Sequence, residues 1–237
     1  MYTLEAAPDS KNPVHHVAAT ESKPTMSATE AKIMGNPVLD WLLAHCHVRS
    51  YPKHHLIIQG GTRPETLYLM VEGSVAVLIE DANGNEIVLS YLNRGDFFGE
   101  MGLFCGDTPR SAWVRTRTPC RVAEIAYNRF RKLAMEHADV LFELASQMAA
   151  RLRRTNRKVE DLAFLDVAGR IARALLDLCE QPDAMTHPDG MQLRISRQEL
   201  ARIVGCSREM AGRVLKSLEE QSLISVSGKT IVVLGTR

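Results

Sequence analysis

The apolar pattern of the chain begins at about Pro37 and changes period twice before the C-terminus. Residues 1 to about 34 are rich in Ala, Ser, Thr, Pro and Lys without a sustained apolar period, as expected of a disordered extension, with Met26 and Met34 as alternative starts. Val38, Leu39, Trp41, Leu42 and Leu43 predict a short amphipathic helix ending near His45-Cys46-His47. Strands are predicted over His55 to Gln59, Thr66 to Ile79, Glu86 to Leu92 and Ser111 to Ile125, separated by Gly60-Gly61, Asn83-Gly84 and Asn93-Arg94-Gly95-Asp96. Tyr68 and Met70, then Val75, Val77 and Ile79, repeat every second residue, which predicts a small antiparallel barrel or jelly roll.

From about Ala138 to Leu162 the period becomes helical. Leu141, Ala145, Met148, Leu152, Thr155, Val159 and Leu162 alternate steps of four and three, the seam of a coiled coil. The flanking Arg151, Arg153, Arg154, Arg157 and Lys158 are expected to stay solvated, so the seam predicts pairing with a second copy of the chain. Ser196-Arg197-Gln198-Glu199 then reads as a capping box opening a short helix, Gly205-Cys206 as a turn, and Ser207 as the cap of a second helix. On that second helix Ala211, Val214, Leu215 and Leu218 form the core face, while Glu209, Arg213 and Lys216 project oppositely. Alternating apolar residues around Ser227-Gly228-Lys229 complete a winged helix-turn-helix.

At 237 residues and 45% hydrophobic, the chain can bury two cores without disulfides or metal. The net charge of +1 gives no global pull toward a polyanion, so only local clusters inform on partners. Cys46, Cys105, Cys120, Cys179 and Cys206 are scattered, which predicts reduced, structural thiols rather than a zinc or iron-sulfur site. The first residues lack a signal-peptide pattern, and no apolar run approaches the roughly 20 residues of a membrane span; a soluble, cytoplasmic protein without a membrane partner is expected.

Gly99-Glu100-Met101-Gly102-Leu103-Phe104 and Arg110-Ser111-Ala112-Trp113 carry the most pointed chemistry. An arginine fork fits two phosphate oxygens, glycines admit an anion to backbone N–H groups, and a glutamate accepts from a sugar hydroxyl. A turn shaped by Gly99 and Gly102, with an ordinary Glu100–Arg110 ion pair, explains the same spacing. The two segments, however, resemble the phosphate-binding cassette of the bacterial cyclic-AMP receptor proteins of the Crp/Fnr transcription regulator family. Likeness to that family extends from about Leu39 to Arg237, including Asp161 to Val167, Gln181 to Gln192 and Ile203 to Arg208.

The resemblance implies an α+β fold: an N-terminal antiparallel β-roll (jelly roll) binding cyclic nucleotide over 35–137, a dimerisation helix and hinge over 138–165, and a C-terminal winged helix-turn-helix domain over 166–237. It also implies a cyclic-AMP site in which Glu100 holds the ribose 2′-hydroxyl, Arg110 and Ser111 the phosphate, and Gly99, Met101 and Gly102 line the pocket. Thr155, polar within the apolar seam, would meet the adenine amino group; the family's second small hydroxyl residue is here Asn156, whose amide can also hydrogen-bond adenine.

The implied macromolecular partners are double-stranded DNA, RNA polymerase and a second copy of the chain. Arg208 and Arg213 suit guanine, Glu209 suits cytosine N4, Gly212 leaves room at the groove, and Lys216 suits phosphate, with Arg197, Gln198 and Ser207 beside them. Ordinary solvated charges are the competing account of this face. Against it stands a local excess of basic residues, Arg197, Arg202, Arg208, Arg213 and Lys216 over Glu199 and Glu209. Half-sites would be similar to TGTGA, about one helical turn apart. Thr186, His187 and Gly190 resemble the family's activating surface loop, with His47 and Arg129 as a second contact, so a non-enzymatic activator is expected. Two alternatives are cyclic di-GMP as the ligand, although its responders lose the Arg-Ser pair kept here, and a cupin-like metal enzyme built on His45, His47, His54 and His55.

Overall fold

The computed structural model describes residues 35–106 and 108–236; the expected extension over 1–34 lies outside the described residues. The elements run α1 (Pro37–Leu43), β1 (His47–Tyr51), β2 (Leu56–Ile58), β3 (Thr66–Glu72), β4 (Val75–Glu80), β5 (Glu86–Leu92), β6 (Phe97–Phe98), α2 (Met101–Phe104), β7 (Trp113–Thr116), β8 (Cys120–Ala126) and α3 (Tyr127–Glu136). They continue as α4 (Asp139–Phe164), α5 (Val167–Cys179), β9 (Met185–His187), β10 (Gly190–Arg194), α6 (Arg197–Val204), α7 (Arg208–Glu220), β11 (Ile224–Ser227) and β12 (Thr230–Leu234).

Strands β1-β8-β3-β6 and β2-β7-β4-β5 form the two antiparallel sheets of the roll. Between them lie Met70, Val75, Leu92, Phe98, Val114 and Val122. The reverse face of β3, with Leu67, Leu69 and Val71, packs on Leu42 and Leu43 of α1, Phe130 of α3, and Val140 and Leu144 of α4. A strand buried on both faces reads as a near-continuous apolar run, and Leu67-Tyr68-Leu69-Met70-Val71 is one. The expected single strand from Thr66 to Ile79 is two, broken at Gly73, whose φ is +88° and where a Cβ would lie 2.4 Å from the Pro119 carbonyl oxygen. Ser111 to Ile125 is likewise divided into β7 and β8.

The spacing of Val75, Val77 and Ile79 does not mark one inward face. The β4–β5 register shifts at Val77/Leu78, so that Val75 is fully buried but Ile79 is exposed. Such a bulge turns the strand and frees backbone groups locally. Helices α3 and α5 and the strands β1 and β6 were not legible from periodicity.

The C-terminal domain packs α5, α6 and α7 on the sheet β11-β12-β10-β9, around Ile171, Leu175, Leu193, Leu200, Leu215 and Ile231. Both expected helix starts are capped: Ser196 accepts from the Glu199 N–H and Ser207 from the Met210 N–H, each at 3.1 Å. The reciprocal half of the expected capping box is not made, because the Glu199 carboxylate turns to Tyr91 and Arg117. Gly205 ends α6 in the left-handed region, φ +72°, as the turn requires. No helix among the described residues is long and apolar enough to cross a membrane.

Candidate ligand cradle and nucleic-acid interface

Strand β6 delivers the chain to Gly99 with φ +75°, a conformation a residue with a side chain adopts only under strain. A Cβ there would also sit 2.7 Å from Arg110 Nη1. In the space left by that missing methyl the Arg110 guanidinium donates to the Gly99 and Thr66 carbonyl oxygens, both at 2.7 Å, and to the Tyr127 hydroxyl at 3.0 Å. Tyr127 in turn donates to the Gly99 oxygen. Burial raises the Tyr127 pKa against the opposing pull of Arg110, which keeps the phenol a donor. Gly102 is equally constrained: a Cβ there would lie 2.3 Å from Pro64 Cβ.

Glu100 does not pair with Arg110, as the simplest account of the spacing supposed. Its buried carboxylate meets Arg151 of α4 at 3.1 Å, and Arg151 also donates to the Phe97 carbonyl. Arg151 and Lys158, expected in solvent, are therefore turned inward: Lys158 donates to the Val88 and Leu89 carbonyls at 3.3 and 2.7 Å, the oxygens beside the β5 bulge. Burial lowers the Lys158 pKa, opposed by Asp177. Neither lysine nor arginine was legible as a ligand of the roll, because a charged residue beside a heptad seam reads as solvated. Their spacing from Gln147, which bonds the Phe97 N–H and the Gly95 oxygen, gives a polar stripe on α4 that could have signalled it.

A cavity of about 680 Å³ joins these groups. Gly99, Glu100, Met101, Gly102, Arg110, Ser111 and Thr155 all line it, together with Arg151; Asn156 is exposed and does not. The donors and acceptors suit a nucleotide phosphate and sugar: a guanidinium at a glycine cradle, a hydroxyl, a buried carboxylate and an adjacent threonine. The cavity continues past β5 to Asp177 and Gln181 of the α5 region and to Ile203 of α6, so its wall is shared with the C-terminal domain.

Ser207, the cap of α7, and Arg208, Glu209, Arg213 and Lys216 on that helix are exposed, as are Arg197 and Gln198 at the start of α6. Gly212 lies beside the Arg197 side chain, its built Cβ 3.6 Å from Arg197 Cδ. Lys216 pairs within its helix with Glu220 at 3.7 Å, fully in solvent. Thr186 and His187 lie on β9, and buried Gly190 opens β10, where a Cβ would meet the Val233 carbonyl at 2.0 Å. His47 begins β1 and Arg129 lies on α3; both are exposed, and Arg129 is near enough to Cys46 to act on its thiol. Among the described residues no group of three or more His, Cys, Asp or Glu could hold a metal ion.

This fold and cradle define a class: an effector-binding roll coupled by a long helix to a winged helix-turn-helix. Residues 48–137 match the cyclic nucleotide-binding domain family and residues 169–236 the Crp-like helix-turn-helix domain family. The chain is 63% identical over 202 residues to the cAMP-activated global transcriptional regulator Vfr of Pseudomonas aeruginosa, covering 84% of this chain and 94% of that one. It is 60% identical over 202 residues to the cAMP-activated global transcriptional regulator CRP of Salmonella typhimurium, covering 85% and 96%. Among solved structures it is similar to the c-di-GMP responsive global regulator CLP of Xanthomonas campestris, with 46% identity and a TM-score of 0.79 over 84% of this chain and 99% of that one. The chain belongs to the CRP family of transcriptional regulators, a family of DNA-binding regulators rather than enzymes.

Proposed function

We propose that the chain is a cytoplasmic, cyclic-AMP-responsive transcription activator that binds pseudo-palindromic TGTGA-type sites as a homodimer. The observation that carries this reading is the Arg110 guanidinium seated at Gly99 beside Glu100, in a chain at least 60% identical to cAMP-activated regulators. Arg110 and Ser111 hold the cyclic phosphate, and Gly99 to Gly102 line it. Glu100 holds the ribose and Thr155, on the cavity wall, reaches the base, while Asn156, exposed and off that wall in the single chain, reaches the base of the partner protomer's ligand across the paired helices. Three of the five Arg110 N–H groups are engaged with described residues, which leaves donors for a phosphate.

The domains proposed are the roll over 35–137, the pairing helix and hinge over 138–165 and the reader over 166–237. The seam of α4 pairs the two protomers, with Leu152, Val159 and Leu162 each about 60% exposed in the single chain. Arg208, Glu209 and Arg213 read bases, Gly212 leaves room beside the groove, and Arg197, Gln198, Ser207 and Lys216 meet the backbone. The β9–β10 hairpin, which carries Thr186 and His187 and is shaped by the buried Gly190, and the exposed pair His47 and Arg129 contact RNA polymerase. To move from about 1% to 99% active, the ligand must favour the DNA-competent state by about 5.5 kcal/mol.

Fluorescence anisotropy of a labelled TGTGA palindrome, at fixed salt with and without micromolar cyclic AMP, tests this. Cyclic AMP is expected to tighten binding and Arg110→Ala to remove the response while thermal unfolding reports the fold intact. The likeness to a c-di-GMP responsive regulator, with a cavity that extends beyond the cassette, favours one second reading, cyclic di-GMP as the effector. A response to that dinucleotide alone selects it.

A further inference from the structure

Away from the cradle, the roll meets the C-terminal domain through a second set of contacts. Ala76, Leu78 and Val88 point outward from the roll yet are only 7, 4 and 5% exposed, because Tyr91 and Ile203 of α6 pack over them. Ionic contacts lie on either side of this apolar spot. Glu86 of β5 accepts from Arg115 at 2.8 Å through one carboxylate oxygen, and its other oxygen lies 3.1 Å from the Arg202 guanidinium of α6, an ion pair between the domains. Arg117, between β7 and β8, places its guanidinium 3.7 Å from the centre of the Tyr91 ring. It donates to the Ser74 hydroxyl at 3.2 Å and to Asp183 at 3.0 Å, and lies 3.7 Å from Glu199 of α6. Tyr91 donates its hydroxyl to the same Glu199 at 2.8 Å.

A guanidinium stacked on its face and paired along its edges is fixed in orientation, and here the partners come from both domains. The docked arrangement leaves Arg208, Glu209, Arg213 and Lys216 exposed, so it does not cover the reading face. It also neutralises Glu199 on the first helix of the helix-turn-helix, the one that crosses the duplex backbone, where a free carboxylate would repel phosphate.

We infer that Arg117 is a positioning residue: with Tyr91, Asp183 and Glu199 it latches the DNA-reading domain to the roll in a duplex-competent orientation and sets the level of DNA binding in the absence of effector. The inference rests on the reading of α7 as the DNA reader and adds what holds that reader in place. Tyr91 and Ile203 line the effector cavity as well as the latch, so an occupied cavity stabilises the same docking from its other side. Effector therefore compensates for a weakened latch.

The test uses the full chain with Arg117→Ala, Arg117→Lys and the milder Asp183→Asn, read by hydrogen exchange and by affinity for the TGTGA duplex with and without cyclic AMP. Arg117→Ala is expected to speed exchange in 86–92 and 197–204 about tenfold while 66–72 stays protected, and to weaken effector-free duplex binding about tenfold. Saturating cyclic AMP is expected to bring that variant back to within about threefold of wild type. Arg117→Lys, which keeps the charge but loses the fork, and Asp183→Asn should give smaller changes in the same direction. Unchanged exchange in 86–92 and 197–204 overturns the latch; unchanged or tighter effector-free binding by Arg117→Ala overturns its role in competence, the latter marking an autoinhibitory clamp. A wild-type chain that binds no duplex in either condition overturns the reading of α7 and the competence claim together, while the exchange result still decides whether Arg117 holds the domain.

Discussion

At Gly99 the backbone is in the left-handed region with φ +75°, and the Arg110 guanidinium fills the place where a methyl would be. Gly99→Ala therefore meets two costs, backbone strain and displacement of Arg110, together about 1–3 kcal/mol of stability. Because the displaced group is the proposed phosphate ligand, cyclic-AMP affinity measured by calorimetry should fall at least tenfold, whereas Gly61→Ala, also at positive φ but with no atom near its built Cβ, should cost stability without a comparable loss of affinity. The residue types of the cradle were legible in the sequence because arginine, glycine and glutamate each carry distinctive chemistry. Their pairing was not. Glu100 and Arg110 are close in sequence and do not pair, while Arg151, 51 residues from Glu100, does; only the fold brings α4 there.

The element on which these groups converge is α4. Of its side chains only Val140 and Leu144 are fully buried, so beyond Leu144 the helix is held to the roll by the half-buried Met148 and by the polar contacts of Gln147, Arg151 and Lys158. Leu152→Glu puts a charge at the centre of that seam and should yield a monomer by sedimentation equilibrium, with loss of tight binding to the palindrome but not of the folded roll. Lys158 makes the opposite kind of prediction. Its pKa is lowered from 10.5 by burial, so between the lowered value and 10.5 the unfolded chain holds more protons than the native one, and this lysine makes stability rise with pH there. In urea unfolding followed from pH 8 to 10, wild type should gain stability relative to Lys158→Met, which lacks the group; a constant difference would place Lys158 in solvent. The heptad made α4 legible over 138–162, and it runs Asp139–Phe164. The same regular pattern hid the inward turn of Lys158, because snorkelling of a long side chain to carbonyl groups beside a bulge leaves no mark on periodicity.

Across the whole molecule, the order of roll, long helix and winged helix-turn-helix could be read from changes of period, since each fold uses its own repeat. What the period could not supply was docking between the two domains: Ala76 and Leu78 lie on a strand whose alternation suggests a solvent face, and they are covered by Tyr91 and Trp113 of the roll together with Ile203, which comes from over 100 residues away. That arrangement leaves the basic face of α7 open, and its electrostatics can be measured separately from its base reading. Each phosphate neutralised on duplex DNA contributes about 0.9 to the slope of log affinity against log salt. Lys216 stands in solvent on both protomers of the proposed dimer, so Lys216→Ala should reduce the magnitude of that slope by about two and weaken all sequences alike. Arg208→Ala should instead cost about 1–3 kcal/mol at the TGTGA site while leaving binding to unrelated duplex less affected, because a bidentate contact to guanine carries discrimination and a phosphate contact does not. A salt titration of wild type and both variants on the two duplexes separates these outcomes. If Lys216→Ala relaxed sequence preference and left the slope unchanged, the assignment of reader and anchor along α7 would have to be exchanged.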